Sequence, residues 1–163
     1  MKTKLFFTVA LILLLSIFTF AQNTNYIGYQ HKGVIYGETL PNGVKDLGGG
    51  LLSEESYGVS RFTIGKKFML WLEKITSRDR KGVPIWEVKD VLSFGSLKKN
   101  QEFLFSYSSA CTQKGKINLD LIVKAGLSSK KKYKVLEAWK ADIKKEKFEK
   151  ISTKGIKCEY VEP

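Results

Sequence analysis

Between Tyr26 and about Asn118 the chain sets short runs of β-branched and aromatic residues between glycine-bearing polar breaks. Gly28, Gly33, Gly37, Gly43, the triplet Gly48-Gly49-Gly50, Gly58, Gly65, Gly82, Gly95 and Gly115 punctuate it at intervals that suit strands and turns. Val34-Ile35-Tyr36 reads as a short strand. Leu40-Pro41-Asn42-Gly43 reads as a turn, since proline presets φ and the Asn-Gly pair tolerates positive φ. Val59 to Ile64 predicts a strand with Phe62 and Ile64 on one face, and Gly65-Lys66-Lys67 turns it into the next, Phe68 to Ser77.

The clearest hairpin follows. Phe68 to Thr76 and Ile85 to Leu92 flank Asp79-Arg80-Lys81-Gly82, four polar residues ending in glycine, which suit a type I turn with a glycine bulge. Both arms mix apolar and charged residues, which predicts one buried and one wet face, with Trp71 and Trp86 anchoring the core. Phe103 to Tyr107 and Ile117 to Val123 alternate more cleanly and are expected to pair across Thr112–Gly115. The fold class expected is mainly β: one antiparallel β-sandwich or barrel-like domain.

The tail supports two readings. Lys130 to Lys150 holds nine lysines against Glu137, Asp142, Glu146 and Glu149. Leu136, Trp139 and Ile143 fall on one helical face, and the residue types favour helix. Val135, Trp139, Ala141 and Ile143 also partly alternate, as in a hairpin whose second strand ends at Ile151. Helix and hairpin stay open. Gly155 then breaks the chain before a last short strand from Ile156 to Tyr160.

The first residues have a different pattern. Lys2 and Lys4 precede an apolar run from Leu5 to Phe20, broken only by Thr8, Ser16 and Thr19, which exits on Thr19-Phe20-Ala21. A charged start, an apolar stretch and a small-residue exit make a secretory signal. Cleavage after Ala21 separates a signal peptide (1–21) from a single exported β-rich domain (22–163). The alternative is a retained anchor, for which Leu5 to Ala21 is at the short limit. Downstream, the longest unbroken apolar run is Phe68 to Leu72, so no membrane span is expected after cleavage. The expected location is the periplasm or the medium.

Charge narrows the partners. Loss of Lys2 and Lys4 lowers the formal net charge from +12 to +10, and the only arginines are Arg61, Arg78 and Arg80. Specific reading of phosphates and bases relies on the arginine fork, so nucleic acid is not an expected partner. The lysines Lys130, Lys131, Lys132 and Lys134 form a candidate patch for polyanions such as an anionic envelope polysaccharide. Cys111 and Cys158 are the only cysteines, and in an oxidising compartment they are expected to be a disulfide. Two cysteines and one histidine do not make a four-ligand structural zinc site, and no metal or cofactor is expected.

No stretch carries a catalytic signature. His31, the single histidine, reads as a surface residue in a loop before a strand. There is no Gly-x-Ser-x-Gly elbow. Leu47-Gly48-Gly49-Gly50-Leu51 lacks the spacing of a dinucleotide loop and reads as a flexible loop or bulge. Glu54, Glu55, Glu73, Glu87 and Asp90 are the candidate carboxyl groups for a glycosidase-like pair, yet each reads as solvated charge in a loop or on a wet strand face. Tyr26, Tyr29, Tyr36 and Tyr57 form a candidate binding face, since tyrosine joins a flat apolar ring to a polar tip.

The stretches Met69 to Asp79 and Gly82 to Leu92, together with Ala138-Trp139, Phe148-Glu149 and Gly155 to Cys158, resemble small exported bacterial proteins of unknown function. The leader ending in Phe20-Ala21-Gln22 is similar to those of Bacteroidetes exports. That resemblance implies a Gram-negative envelope setting and favours the strand reading of the tail; it implies no activity and no functional residue. The expected function is a non-catalytic binding or interaction module of the envelope, engaging another envelope protein. The alternatives are a small secreted hydrolase using surface carboxylates and a polyanion-binding protein.

Overall fold

The computed structural model describes residues 26–32, 40–105, 111–128 and 132–159. The expected leader and its expected cleavage point, the expected strand Val34–Tyr36, and Lys130 and Lys131 lie outside them.

Twelve strands are described: β1 (Gln30–His31), β2 (Lys45–Leu51), β3 (Tyr57–Ile64), β4 (Lys67–Arg78), β5 (Pro84–Phe94), β6 (Gln101–Phe105), β7 (Cys111–Gln113), β8 (Lys116–Ile117), β9 (Leu121–Leu127), β10 (Tyr133–Asp142), β11 (Lys147–Ile151) and β12 (Ile156–Cys158). Every pairing between them is antiparallel. They form three sheets: β1-β5-β4-β3-β2, β11-β10-β9-β6 and β12-β7-β8. The fold is mainly β, and the sheets do not close into a barrel.

The hairpins expected from turn chemistry are present. Ile64 pairs with Lys67, which makes Gly65-Lys66 a two-residue turn, and Gly65 takes a φ of 56°. At the β4–β5 turn Asp79 Oδ1 accepts hydrogen bonds from the backbone N–H groups of Lys81 and Val83, and Gly82 takes a φ of 81°. Residues 133–151, where the sequence left helix and hairpin open, form the antiparallel pair β10–β11, with Trp139 opposite Lys150. The alternation of Trp139, Ala141 and Ile143 toward the core outweighs helical propensity.

The pairing of β6 with β9 agrees with the sequence, but Ile117 does not belong to it. The intervening chain leaves the second sheet and makes the hairpin β7–β8 in the third. Cys111 and Cys158 face each other across β7 and β12 as a disulfide, with Cα atoms 4.1 Å apart.

One expectation fails instructively. The β4–β5 hairpin has no wet face along its centre, because the apolar run Phe68–Leu72 is buried on both sides. Phe68, Leu70 and Leu72 pack against Phe103, Phe105, Ile122, Trp139 and Phe148 of the second sheet. Met69 and Trp71 point the other way, where Tyr26, Leu40 and Val44 cover them together with Phe62, Val88 and Val91. Val88 and Val91 reach the same face despite their odd spacing because the β4–β5 register slips between Leu72 and Glu73. A third cluster, Leu104, Leu121, Val123, Ala125 and Ala138, lies on the second sheet's far face under Cys111 and Ile156.

Asp90 pairs with Leu72 just before the β4–β5 slip and so shares its inward face, where it is 3% exposed. Its Oδ1 accepts from Val91 N–H and its Oδ2 from Phe148 N–H at 2.8 Å, joining the first sheet to β11. The expectation of a solvated Asp90 is therefore wrong: the carboxyl group serves two backbone donors. Asp90→Ala is expected to cost about 2 kcal/mol, since buried donors are left unpaired. Asp90→Asn, which keeps one acceptor, should cost roughly half of that. Urea unfolding of both variants measures the difference.

Candidate functional site

The first sheet's face that carries Trp71 opens, toward the end of β4, into a cleft of about 420 Å³. All five strands contribute: His31 from β1, Asp46 and Gly48-Gly49-Gly50 from β2, Gly58 and Ser60 from β3, Glu73 from β4 and Trp86 from β5. Strand parity explains the convergence. Glu73 follows Trp71 by two and shares its face, Gly58 and Ser60 pair opposite Glu73 and Trp71, and His31 pairs with Trp86.

His31 is a correction to the sequence reading. It is 5% exposed, not a surface residue. Its ring is stacked with Tyr29 at 5.8 Å between centroids, and it meets Trp71 and Phe62 edge-on. Glu73, also read as solvated, is 2% exposed. Glu73 Oε1 lies 2.7 Å from His31 Nε2, and Ser60 Oγ donates to Glu73 Oε2 at 2.5 Å. The carboxyl group thus sits between the imidazole and the hydroxyl. That order differs from the nucleophile–imidazole–carboxylate order of a serine triad, so His31 is not the base of Ser60. What the arrangement does is fix the Ser60 proton toward Glu73 and leave the oxygen's lone pairs available to accept. His31 Nδ1 has no hydrogen-bond partner among the described residues.

The glycine triplet is a bulged edge strand. The β2–β3 register slips between Asp46 and Gly49. Gly48 has a φ of 82° and donates its N–H to Asp46 Oδ1. Arg61 braces the bulge by donating to the carbonyls of Leu47 and Gly48. A Cβ on Gly49 would fall 2.5 Å from the Val59 carbonyl oxygen and 2.7 Å from Ser60 Oγ, so only glycine lets β2 pass this close to Ser60. A Cβ on Gly58 would sit 3.2 Å from the Gly50 carbonyl oxygen and in ordinary contact with the indole of Trp86.

The other carboxyl groups do not join Glu73. Glu87 and Asp90 project from the opposite face of the sheet, and Glu54 and Glu55 are exposed before β3. Glu87 belongs to a charged cluster with Lys89, Lys74 and Glu146. Tyr57 and Lys74 both donate to Glu146 Oε1 at 2.8 Å. Lys74, then Tyr57, hold the Glu146 carboxyl below its ordinary value of 4.5, and the hydrogen bond to Glu146 raises Lys74 in return. Burial pushes the Tyr57 hydroxyl up. Because the Glu146 value is depressed in the folded chain, its contribution is complete above the ordinary value and is lost as pH falls through the depressed one. Stability should therefore fall between about pH 5 and pH 3, and Glu146→Gln should flatten that slope. Denaturation midpoints across this range provide the check.

The tyrosine face expected from the sequence is not assembled. Tyr26 is buried under Trp71, with ring centroids 4.8 Å apart. Tyr57 is buried in the core on the sheet's other side. Both rings are needed to cover apolar faces, so neither is presented to a partner; Tyr29 packs against the Trp71 cluster, and Tyr36 lies outside the described residues. Of the lysine patch, Lys132 and Lys134 are exposed.

Sequence reasoning missed the His31–Glu73–Ser60 chain because its members are far apart and lie in no motif. One signal was present: Glu73 directly follows the apolar run and shares the parity of Met69 and Trp71. No protein-family model matches this chain, and no curated protein or solved structure is significantly similar to it.

Proposed function

We propose that this chain is a non-catalytic binding module of the cell envelope, exported by its N-terminal leader, and that the cleft between β2 and Trp86 is its binding site. The observation that carries this reading is the order of groups on the cleft floor. Glu73 separates His31 from Ser60, so the floor supplies oriented hydrogen-bonding atoms and no imidazole-activated hydroxyl. An aromatic wall beside a few fixed polar groups is the usual make-up of a small-molecule site, and the volume falls within the roughly 300–1,000 Å³ such sites occupy. The small β-scaffold and the Cys111–Cys158 bridge suit an oxidising compartment.

Affinity capture from the producing cell's own envelope fraction tests the reading, with the wild type and Trp86→Ala as paired baits. A component retained by the wild type and lost from the variant is the expected result. Equal retention by both, or retention that depends only on the lysines at 132 and 134, would move the binding site away from the cleft.

A further inference from the structure

Resting on that reading, we propose that the cleft takes a neutral, hydroxyl-bearing ring, a saccharide unit, laid against Trp86. The charges decide against the other small-ligand classes. An organic cation needs an open carboxylate, yet Glu73 is 2% exposed with both oxygens already engaged by His31 and Ser60. Asp46 spends Oδ1 on the backbone N–H of Gly48, which leaves a single carboxylate oxygen, Oδ2, at the cleft and makes choline the decisive counter-probe. An anion would meet these two carboxyl groups, and the one lysine on the wall, Lys32, is tied to Asp79 at 2.8 Å.

A hydroxyl group suits what remains. Ser60 Oγ gives its proton to Glu73 and keeps lone pairs to accept a ligand O–H. His31 lines the same cleft at 5% exposure, and since its unpartnered Nδ1 is itself buried, the imidazole shapes the floor and holds Glu73 in place. The indole offers a flat apolar surface for the C–H face of a sugar ring. Gly49 keeps a side chain off the opposite wall, where Gly48, Gly49 and Gly50 line the cleft. The polar floor, the aromatic wall and the bare strand thus suit one pyranose-sized ring.

The test is a titration of the purified protein followed by the Trp86 indole and the Gly49 and Gly50 amide signals in NMR spectra. The probes are glucose, galactose, N-acetylglucosamine and their β-linked disaccharides, with choline and inorganic phosphate as charged counterparts. A saccharide should shift all three signals saturably. Trp86→Ala should weaken that binding about tenfold, as read on the glycine amides, with thermal unfolding run alongside to confirm the fold. Ser60→Ala, a second variant that leaves the aromatic wall in place, should weaken it less. Saturation by choline or phosphate and by no saccharide overturns the saccharide inference while leaving the cleft as a binding site. If no probe moves the signals and envelope capture is the same for wild type and Trp86→Ala, both fall. Saccharide binding that is unchanged in Trp86→Ala overturns the placement.

Discussion

Glu73→Ala is expected to lower the unfolding free energy by about 4 kcal/mol, because removing one member of a buried polar pair leaves the other unpaired. Here two groups lose their partner at once. His31 would keep neither of its ring nitrogens bonded among the described residues, and the half-buried Ser60 would have to find a new acceptor. Glu73→Gln should cost less, about 1–2 kcal/mol, since the amide still accepts from Ser60 and can serve one imidazole tautomer. Urea denaturation of the three proteins at neutral pH measures both losses. A Glu73→Ala protein within about 1 kcal/mol of wild type would mean that water enters the gap, and that the chain of three groups does not hold β1 to the sheet.

Loss of the Cys111–Cys158 bridge should be comparably costly. The cysteines are 47 positions apart, and the chain-entropy relation gives roughly 4 kcal/mol for a loop of that size. The bridge also holds β12, whose Ile156 closes the far face of the second sheet over Leu104, Leu121 and Val123. The expected pattern has two parts: reductant should bring the wild type down to the level of a Cys111→Ala/Cys158→Ala variant, and it should leave the variant unchanged. Denaturant midpoints with and without reductant show this directly. A variant as stable as the oxidised wild type would mean that β12 is held by packing and hydrogen bonds alone.

How far the sequence could be read depended on the range of the signal. Turns were legible because their cause is local: Gly65, Asp79 and Gly82 act within four residues of themselves. Strand identity in the tail was ambiguous because Trp139 and Ile143 fit both a helical stripe with Leu136 and an alternating set with Val135 and Ala141, and only the partners on β9 and β11 decide between them. Face assignment failed where a register slip intervened. The slip makes Val88 and Val91 share a face, whereas Asp90, with the parity of Leu92, points into the other core, and its charge alone had made it read as solvated. The cleft was out of reach altogether. His31 and Glu73 are 42 positions apart, and nothing in a single sequence announces that β1 will lie beside β5.

That placement of β1 has a consequence for the order in which the molecule is made. The hairpins β3–β4 and β4–β5 close through short turns and form cheaply, whereas β1 must come back across the chain to pair Gln30 with Glu87. Its strand is two residues long and contributes little pairing of its own. The central meander can therefore be fully hydrogen-bonded while His31 is still undocked, and Glu73 then faces water with only Ser60 beside it. Ligand recognition, if it resides in this cleft, becomes a property acquired at the last stage of folding: a chain arrested one step earlier would have a native-like sheet and no receptor site.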